Sequence, residues 1–546
     1  MPSRLLVAAA LFLHLASVAR GADDRGQAEH VVVVVWDGMR PDQVTEKNAP
    51  TLFALGRSGV VFKRNHAAYP SSTNVNGAVL ATGVSPGKNG IIANQEFRPA
   101  IDPHKAFDTS DFPALDGSDP RVAAQLLKVP TIAEILQAAG HWTAVAGSKP
   151  VAQFFDRART RTSEAAKKST VIYRGKVLPA VAAERITSAL GPFPRRKTSP
   201  NDSEDDWTTS ALTNVLWREE IPKFSLLWLS EPDLTTHETA LGAPAAMEAI
   251  KRSDRNLAKL LAALKAKDAL TKTDIFVVSD HGFSTVDPAV DVAAQLRAAG
   301  LEAVRAFDGN PRRGQILVVS LGGSVLFYVV ESDPAVTAKL LDALQRADFA
   351  GVILTREKHE GTFTFAQAHL DAPGGPDVIV ACRWSDRPNE FGIAGQMTSD
   401  VGRSVGHGSH STMSRHDMHN ILIASGPDFR RGWESETPSG NIDLAPTILW
   451  LLGMKAPHPM QGRVLREAMA DQPQPPAATE KNFIAQRKIG DRIWRQHLRA
   501  ATVGGVTYIL EGNGSATPLP NPNPPASSPK PPADTAPHTP APPDRR

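Results

Sequence analysis

Thr273–Phe283 reads TDIFVVSDHGF. Ile275–Val278 is a short, wholly apolar and largely β-branched run, the composition of a strand buried on both faces of a parallel sheet. It stops at Ser279-Asp280-His281-Gly282, where an acid and an imidazole sit side by side before a glycine. In open α/β sheets the carboxyl edge of the strands is where ligands bind. A turn with an Asx cap is the competing reading of such a string taken alone. Other strands that end in the same chemistry decide between the two.

Three further runs do so. His30–Trp36, HVVVVVW, ends in Asp37-Gly38. Phe224–Leu229, FSLLWL, ends in Ser230-Glu231-Pro232-Asp233, with His237 four residues beyond Asp233. That spacing lets both side chains face one point if the segment turns helically. Asn420–Ala424 is the fourth apolar strand, and Val405-Gly406-His407-Gly408-Ser409-His410 precedes it. Glycines around His407 would let the backbone approach a ligand closely.

The connecting segments read as a doubly wound α/β fold. A helix is expected from Pro50, capped by Asn48 or Thr51, and others over Val129–Ala139, Pro244–Lys267 and Asn441–Leu452. In the helix after Pro244, the stripe Ile250, Leu257, Leu260, Leu261 and Leu264 reads as core packing. His141–Ala146 is a further strand. Residues 288–400 read as an inserted α+β cap, with strands at Gln315–Ser320, Ser324–Val330, Gly351–Thr355 and Asp377–Arg383 and a helix at Val336–Asp348. The expected fold is a three-layer α/β/α sandwich with a mostly parallel sheet. Its catalytic domain runs over 23–287 and 401–470, followed by a C-terminal extension over 471–517.

Bulk properties exclude several classes. With 546 residues, the chain can bury a large core, enough for two to four domain-sized units. A net charge of +3 gives no electrostatic argument for duplex nucleic acid. The single cysteine, Cys382, excludes an intramolecular disulfide and a cysteine-cluster metal site, and its place in a strand makes it buried and inert. Residues 1–22 read as a signal peptide: Arg4, the apolar Leu5–Val18 and the small-x-small Ala19-Arg20-Gly21. No later apolar run is of spanning length, so the reading is a soluble exported protein, periplasmic or secreted. Residues 518–546, rich in Pro, Ala, Ser and Asn, read as a disordered tail.

Asp37, Asp233, His237, Asp280, His281 and His407 together are three carboxylates and three imidazoles. Such a set suits two Zn²⁺ ions, each with about three protein ligands and an open position; Mn²⁺ or Fe in one site is the alternative these ligand types allow. Paired metals about 4 Å apart can clamp the attacking and leaving oxygens of a phosphoryl transfer. The hydroxyl-rich Tyr69-Pro70-Ser71-Ser72-Thr73-Asn74-Val75-Asn76-Gly77 offers nucleophiles, against the alternative of a helix cap. His410, His416 and His419 compete with His407, and Ser71 and Ser72 with Thr73.

These pieces resemble the alkaline phosphatase superfamily, and within it the nucleotide pyrophosphatase/phosphodiesterase branch. The resemblance rests on VVVVVWDGMRPD, YPSSTNVNGAVLATG, NGIIAN, EPDLTTHE, VVSDHGF and GHGS, in that order, over residues from about 30 to 465 apart from the insert. It implies one Zn²⁺ held by Asp37, Asp280 and His281 beside the nucleophile, and a second held by Asp233, His237 and His407. It aligns Thr73 with the metal-bound nucleophile and Asn94 with the amide that steadies a phosphoryl oxygen. The implied chemistry is cleavage of phosphodiester or pyrophosphate bonds in a small substrate, through a phosphothreonine that a metal-activated water then hydrolyses. Two departures bear on substrate. Asn74 stands where nucleotide-cleaving members place a base-stacking aromatic, and PSSTNVN is similar to the P-S-x-T-N-P-N stretch of phosphonoacetate hydrolases. A phosphonate or monoester hydrolase on the same scaffold is therefore the runner-up. The sulfatase branch is excluded, because no C/S-x-P-x-R string lies near residues 70–77. A non-catalytic metal-stabilised binding protein is disfavoured, since binding alone does not demand six ligands and a hydroxyl together. Oligomeric state is not legible.

Overall fold

The structure is a computed structural model that describes residues 26–110, 126–157, 161–196, 198–470 and 474–519. The expected signal peptide and the tail from 520 onward lie outside these residues. Among the described residues, no helix is long and apolar enough to cross a membrane.

Nine strands form the central sheet. In chain order they are β1 (His30–Trp36), β2 (Val60–Phe62), β3 (Thr143–Gly147), β4 (Thr170–Tyr173), β5 (Lys176–Leu178), β6 (Phe224–Leu229), β7 (Thr273–Val278), β8 (Leu422–Ser425) and β9 (Trp433–Ser435). Their spatial order is β9-β2-β8-β7-β1-β6-β3-β4-β5. The run β7-β1-β6-β3-β4 is parallel throughout. β8 is antiparallel to both β7 and β2, and β5 is antiparallel to β4.

β1 explains why the fold has three layers. Val31, Val33 and Val35 pack into one core with Ala78, Leu80, Ile132, Leu136, Leu444 and Ile448 from helices on one face. Val32, Val34 and Trp36 pack into another with Leu52, Leu257, Leu260 and Leu264 from helices on the opposite face. Alternate residues of a strand face opposite sides, so only a sheet covered on both faces can bury all six. The expected stripe on helix Pro244–Ala266 is core, although Leu261 is only partly buried.

One local expectation changes. Helix Pro50–Ser58 has no cap from Asn48 or Thr51; instead Asp254, on the facing helix, accepts from Thr51 N at 3.0 Å and Leu52 N at 2.9 Å. A carboxylate at a helix N-terminus satisfies orphan donors whichever part of the chain supplies it. Residues 474–519, within and just beyond the expected C-terminal extension, are regular structure. Ala478–Ile489, Arg492–Val503 and Val506–Pro518 form a three-stranded antiparallel sheet, turned at Gly490-Asp491 and Gly504-Gly505. Both turns use glycine at positive φ, as tight hairpins require.

Strands between 303 and 382 build a six-stranded sheet with helices Val292–Ala298 and Pro334–Arg346 on one face. The opposite face, through Leu317, Leu326 and Val352, packs on Tyr69, Ile92, Ala93 and Phe97. These residues flank helix Thr73–Thr82 and lead into Asn94, so this second sheet backs the loops at the carboxyl edge of the first.

Candidate metal and phosphoryl-transfer centre

Each strand end delivers its side chain to one buried point. Asp37 follows β1, Asp233 and His237 lie one turn apart on helix Asp233–Glu238 after β6, and Asp280 and His281 follow β7. His281 Nε2 is 3.7 Å from Asp37 Oδ1, 3.9 Å from Asp233 Oδ1 and 3.3 Å from Asp280 Oδ2. His237 Nε2 is 3.3 Å from Asp233 Oδ1.

The third imidazole is His410. Its Nε2 lies 3.7 Å from Asp233 Oδ1, and its ring packs on those of His281 and His237. His407, expected in this place, stands outside the cluster. Its carbonyl accepts from Val286 N as the chain enters the short strand Gly408–Ser409. That strand must be crossed before a side chain can turn inward, and His410 is the first histidine beyond it. Of the other competitors, His416 pairs with Asp386 and His419 bonds to the Lys63 carbonyl.

The hydrogen-bond partners set how these groups present themselves. His237 Nδ1 donates to Gly408 O, His281 Nδ1 to Gly282 O and His410 Nδ1 to Ser71 O, at 3.0, 2.8 and 2.9 Å. A carbonyl can only accept, so each ring keeps a proton on Nδ1 and turns Nε2 inward. The carboxylates follow the same pattern. One oxygen of each is held: Asp280 Oδ1 by Gly38 N at 3.0 Å, and Asp37 Oδ2 by Trp228 Nε1 at 2.8 Å and Lys149 Nζ at 2.9 Å. Asp233 Oδ2 is held by Lys149 Nζ at 2.6 Å. The other oxygen of each, Asp37 Oδ1, Asp233 Oδ1 and Asp280 Oδ2, is buried without a hydrogen-bond partner.

Three orphaned, buried carboxylate oxygens among three imidazoles are costly unless cations fill the space between them. The donor set, hard oxygens with imidazole, is that of Zn²⁺ and similar divalent ions. Asp233, His237 and His410 form one compact group of potential ligand atoms, and Asp37, Asp233 and His281 another, with Asp280 adjoining the second. The residues present therefore fit two divalent cations.

Burial and Lys149 together set the charge balance. Burial pushes the Asp37 carboxyl up, as does neighbouring Asp280, while Lys149 pulls the other way. Burial also raises Asp233, but Lys149 and His237 outweigh it and hold that carboxyl well below the usual range. His410 is held well below the ordinary imidazole range by burial and then by His281 and His237. Lys149, whose burial disfavours charge, is held protonated by Asp233 and Asp37.

Of the three neighbouring hydroxyls, Thr73 is the one bonded to the cluster. Its Oγ1 is 3.2 Å from His281 Nε2. Ser71 Oγ instead donates to Thr412 O, and Ser72 Oγ is buried without a partner. Thr73 opens helix Thr73–Thr82, and no side chain caps that end, so the hydroxyls are not spent on capping. The positive end of the helix faces the cluster. Asn94 Oδ1 accepts from Asn74 N at 2.8 Å, which fixes the amide beside the nucleophile candidate. Asn74 itself turns its Nδ2 to Asp108 Oδ1 and Thr109 Oγ1. Gly38 is required here: its φ is +71°, and a Cβ would come within 2.5 Å of Phe283 Cε2. The Phe283 ring walls the imidazoles of His237, His281 and His410.

Comparison with known proteins bears on this arrangement. A profile of the type I phosphodiesterase / nucleotide pyrophosphatase family matches residues 31–385. The chain belongs to this family. Within it, the chain is 22% identical over 457 residues to human ectonucleotide pyrophosphatase/phosphodiesterase family member 7, covering 83% of this chain and 86% of that protein. The rat counterpart is likewise 22% identical, over 84% of this chain and 91% of its own. The fold is shared with mouse ectonucleotide pyrophosphatase/phosphodiesterase 5, including an inactive threonine-to-alanine form in complex with AMP. That match has a TM-score of 0.57 at 18% identity and covers 81% of this chain and all of the other. Membership makes this phosphodiesterase/pyrophosphatase-family chain a hydrolase of the alkaline phosphatase superfamily.

Lys149 and Trp228 escape notice in the sequence. A lysine two residues past a strand and a tryptophan inside one look ordinary. Only the rule that ligands gather at strand carboxyl ends, applied to β3, points to Lys149.

Proposed function

We propose that this protein is an exported, two-zinc hydrolase of phosphodiester or pyrophosphate bonds in small, nucleotide-like substrates. One zinc would be held by Asp233, His237 and His410, the other by Asp37, Asp280 and His281. The observation that carries the reading is the convergence of three partnerless carboxylate oxygens and three imidazole Nε2 atoms, one of which, on His281, bonds the Thr73 hydroxyl. When bound, the two cations would supply positive charge for the phosphoryl oxygens and favour ionised over neutral hydroxyl. Thr73 Oγ1 attacks phosphorus in line, the leaving group departs with its bridging oxygen, and a phosphothreonine remains. Water then attacks the same phosphorus from the opposite direction and frees Thr73. Asn94 holds a non-bridging oxygen, and the helix that Thr73 opens directs its positive end at the same charge.

Family membership supports the reaction class, and the AMP complex of the mouse relative supports a nucleotide-like substrate. The polar engagement of Asn74 bears on the leaving group. With an amide tied to Asp108 and Thr109 at this position, no ring is offered for base stacking there. A phosphonate or monoester substrate is thereby the second reading. The organisation proposed with this function is a catalytic domain over 23–287 and 401–470, interrupted by a cap over 288–400.

The test is a turnover assay of zinc-loaded wild type beside Thr73→Ala. It compares an aryl phosphodiester, an aryl monoester, a dinucleotide and phosphonoacetate at equal concentration. Diester or dinucleotide cleavage that disappears in Thr73→Ala is expected. A preference for phosphonoacetate moves the assignment to C–P cleavage, and no turnover despite two bound zinc ions overturns catalysis.

A further inference from the structure

Lys149 makes contacts that neither a surface lysine nor a ligand would make. Its side chain is 15% exposed, and its ammonium bridges Asp37 Oδ2 at 2.9 Å and Asp233 Oδ2 at 2.6 Å. Among the described residues it is the lysine or arginine that pairs with these carboxylates. It touches the outer oxygens only; the inward ones, Oδ1 of both residues, are the partnerless atoms that face the histidines. The bridge also spans the two groups of ligand atoms, since Asp37 belongs to one and Asp233 joins both.

The backbone around it is built to hold this position. Ser148 N donates to Trp228 O at 3.1 Å, and Ser230 N donates to Ser148 Oγ at 2.9 Å. Asp205 accepts from Ser148 Oγ, from Ser230 N and from Glu231 N, tying the end of β3 to the segment that carries Asp233. The backbone next to Lys149 is therefore tied to the segment that carries Asp233.

We infer that Lys149 is a positioning residue: its side-chain nitrogen clamps one carboxylate from each side of the centre, so that each presents a single oxygen inward. The inference rests on the two-cation reading above. Two consequences distinguish it from ordinary packing. With the divalent ions stripped, Lys149 is the charge that keeps buried carboxylates compensated, so its loss falls hardest on the stripped protein. With the ions bound, their charge takes over the compensation, while Asp233 loses the outer partner of its Oδ2 and Asp37 keeps only Trp228 Nε1, which degrades geometry and not substrate binding.

The experiment measures thermal unfolding and zinc content of full-length wild type, Lys149→Met and Lys149→Arg, each stripped with chelator and then reloaded. In Lys149→Met, the zinc-induced rise in Tm is expected to grow about twofold over wild type, because zinc now compensates charges that Lys149 compensated before. Two zinc equivalents should be retained, and kcat should fall while KM holds. Lys149→Arg, which keeps the charge, should restore the Tm of the stripped form. Equal losses of Tm in the stripped and loaded Met variant would overturn the inference and leave a packing role. If the Met variant does not fold, the stripped Arg variant decides: a Tm at the stripped wild-type value supports the clamp, and one several degrees lower overturns it. A wild type that neither takes up zinc nor gains stability from it overturns the two-cation reading itself.

Discussion

The imidazole of His410 lies flat against that of His281, with ring centroids 3.7 Å apart and planes 20° from parallel. Both keep Nδ1 on a backbone carbonyl, and both turn Nε2 toward Asp233 Oδ1. With Nδ1 spent on a carbonyl, each ring has Nε2 left to offer a metal. His410→Ala is therefore expected to lose about one of two zinc equivalents by elemental analysis, with turnover down on the order of 10²-fold or more. His407→Ala should keep both ions and most activity. The opposite pattern would return His407 to the centre.

Thr73→Ala should keep its zinc and its fold but lose turnover by on the order of 10³-fold or more, since Thr73 is the hydroxyl that bonds the inward Nε2 of His281, while Ser71 bonds the Thr412 carbonyl. Thr73→Ser keeps an oxygen at the same place and should retain measurable activity. Acid quenching during turnover should trap phosphate on the wild type and the Ser variant, and none on the Ala variant. Label on Ser72 in the wild type would contradict the assignment.

Asn94→Ala removes the amide next to Asn74 N. If that amide steadies a phosphoryl oxygen only as charge builds, kcat should fall on the order of 10²-fold with little change in zinc content. A rise in KM alone would mean that Asn94 only binds substrate.

The C-terminal sheet is pinned to the catalytic body through Tyr508, whose hydroxyl donates to Asp443 Oδ2 at 2.8 Å. Burial pushes the Asp443 carboxyl up to about 6, although Arg463 and the Tyr508 hydroxyl pull it down. The unfolded chain releases this proton near pH 3.9. Between about pH 4 and about pH 6 the folded state thus binds more protons at this site, and the contribution of Asp443 to stability falls as pH rises through that window. Above it the contribution is flat. Urea midpoints from pH 4 to 8 should show this slope in wild type and lose it in Asp443→Asn. Tyr508→Phe should cost about 1 kcal/mol. It should also extend the slope to higher pH, because a donor to the ionised carboxylate has been removed.

Strand ends were the legible part of the site. Asp37, Asp233, Asp280 and His281 follow runs so apolar that only a doubly covered sheet can hold them, and the sheet's carboxyl edge brings them together. The choice between His407 and His410 was not legible in this way. Glycines flank His407, but which histidine turns inward depends on a two-residue strand pairing with Ser284 and Thr285. Lys149 was hidden because its partners are distant in sequence and one lysine carries no pattern. The hairpins after Ala478 had a signal, since Gly490-Asp491 and Gly504-Gly505 are turn dipeptides between alternating runs. The polar alternation of the first strand, exposed along most of its length, masked it as extension.

β8 has a consequence for synthesis. It lies between β7 and β2, antiparallel to both, and arrives after residue 420. As the chain leaves the ribosome, β7 therefore presents an open edge while the whole segment from 288 to 400 is being made. β2 waits still longer, from residue 62 onward, for its first neighbour in the sheet. His410 emerges just before that gap closes. The centre is thus finished by nearly the same stretch of chain that seals the sheet, so a nascent chain cut short before this point holds Asp37, Asp233, Asp280 and His281 on an unsealed edge, without the imidazole that completes them.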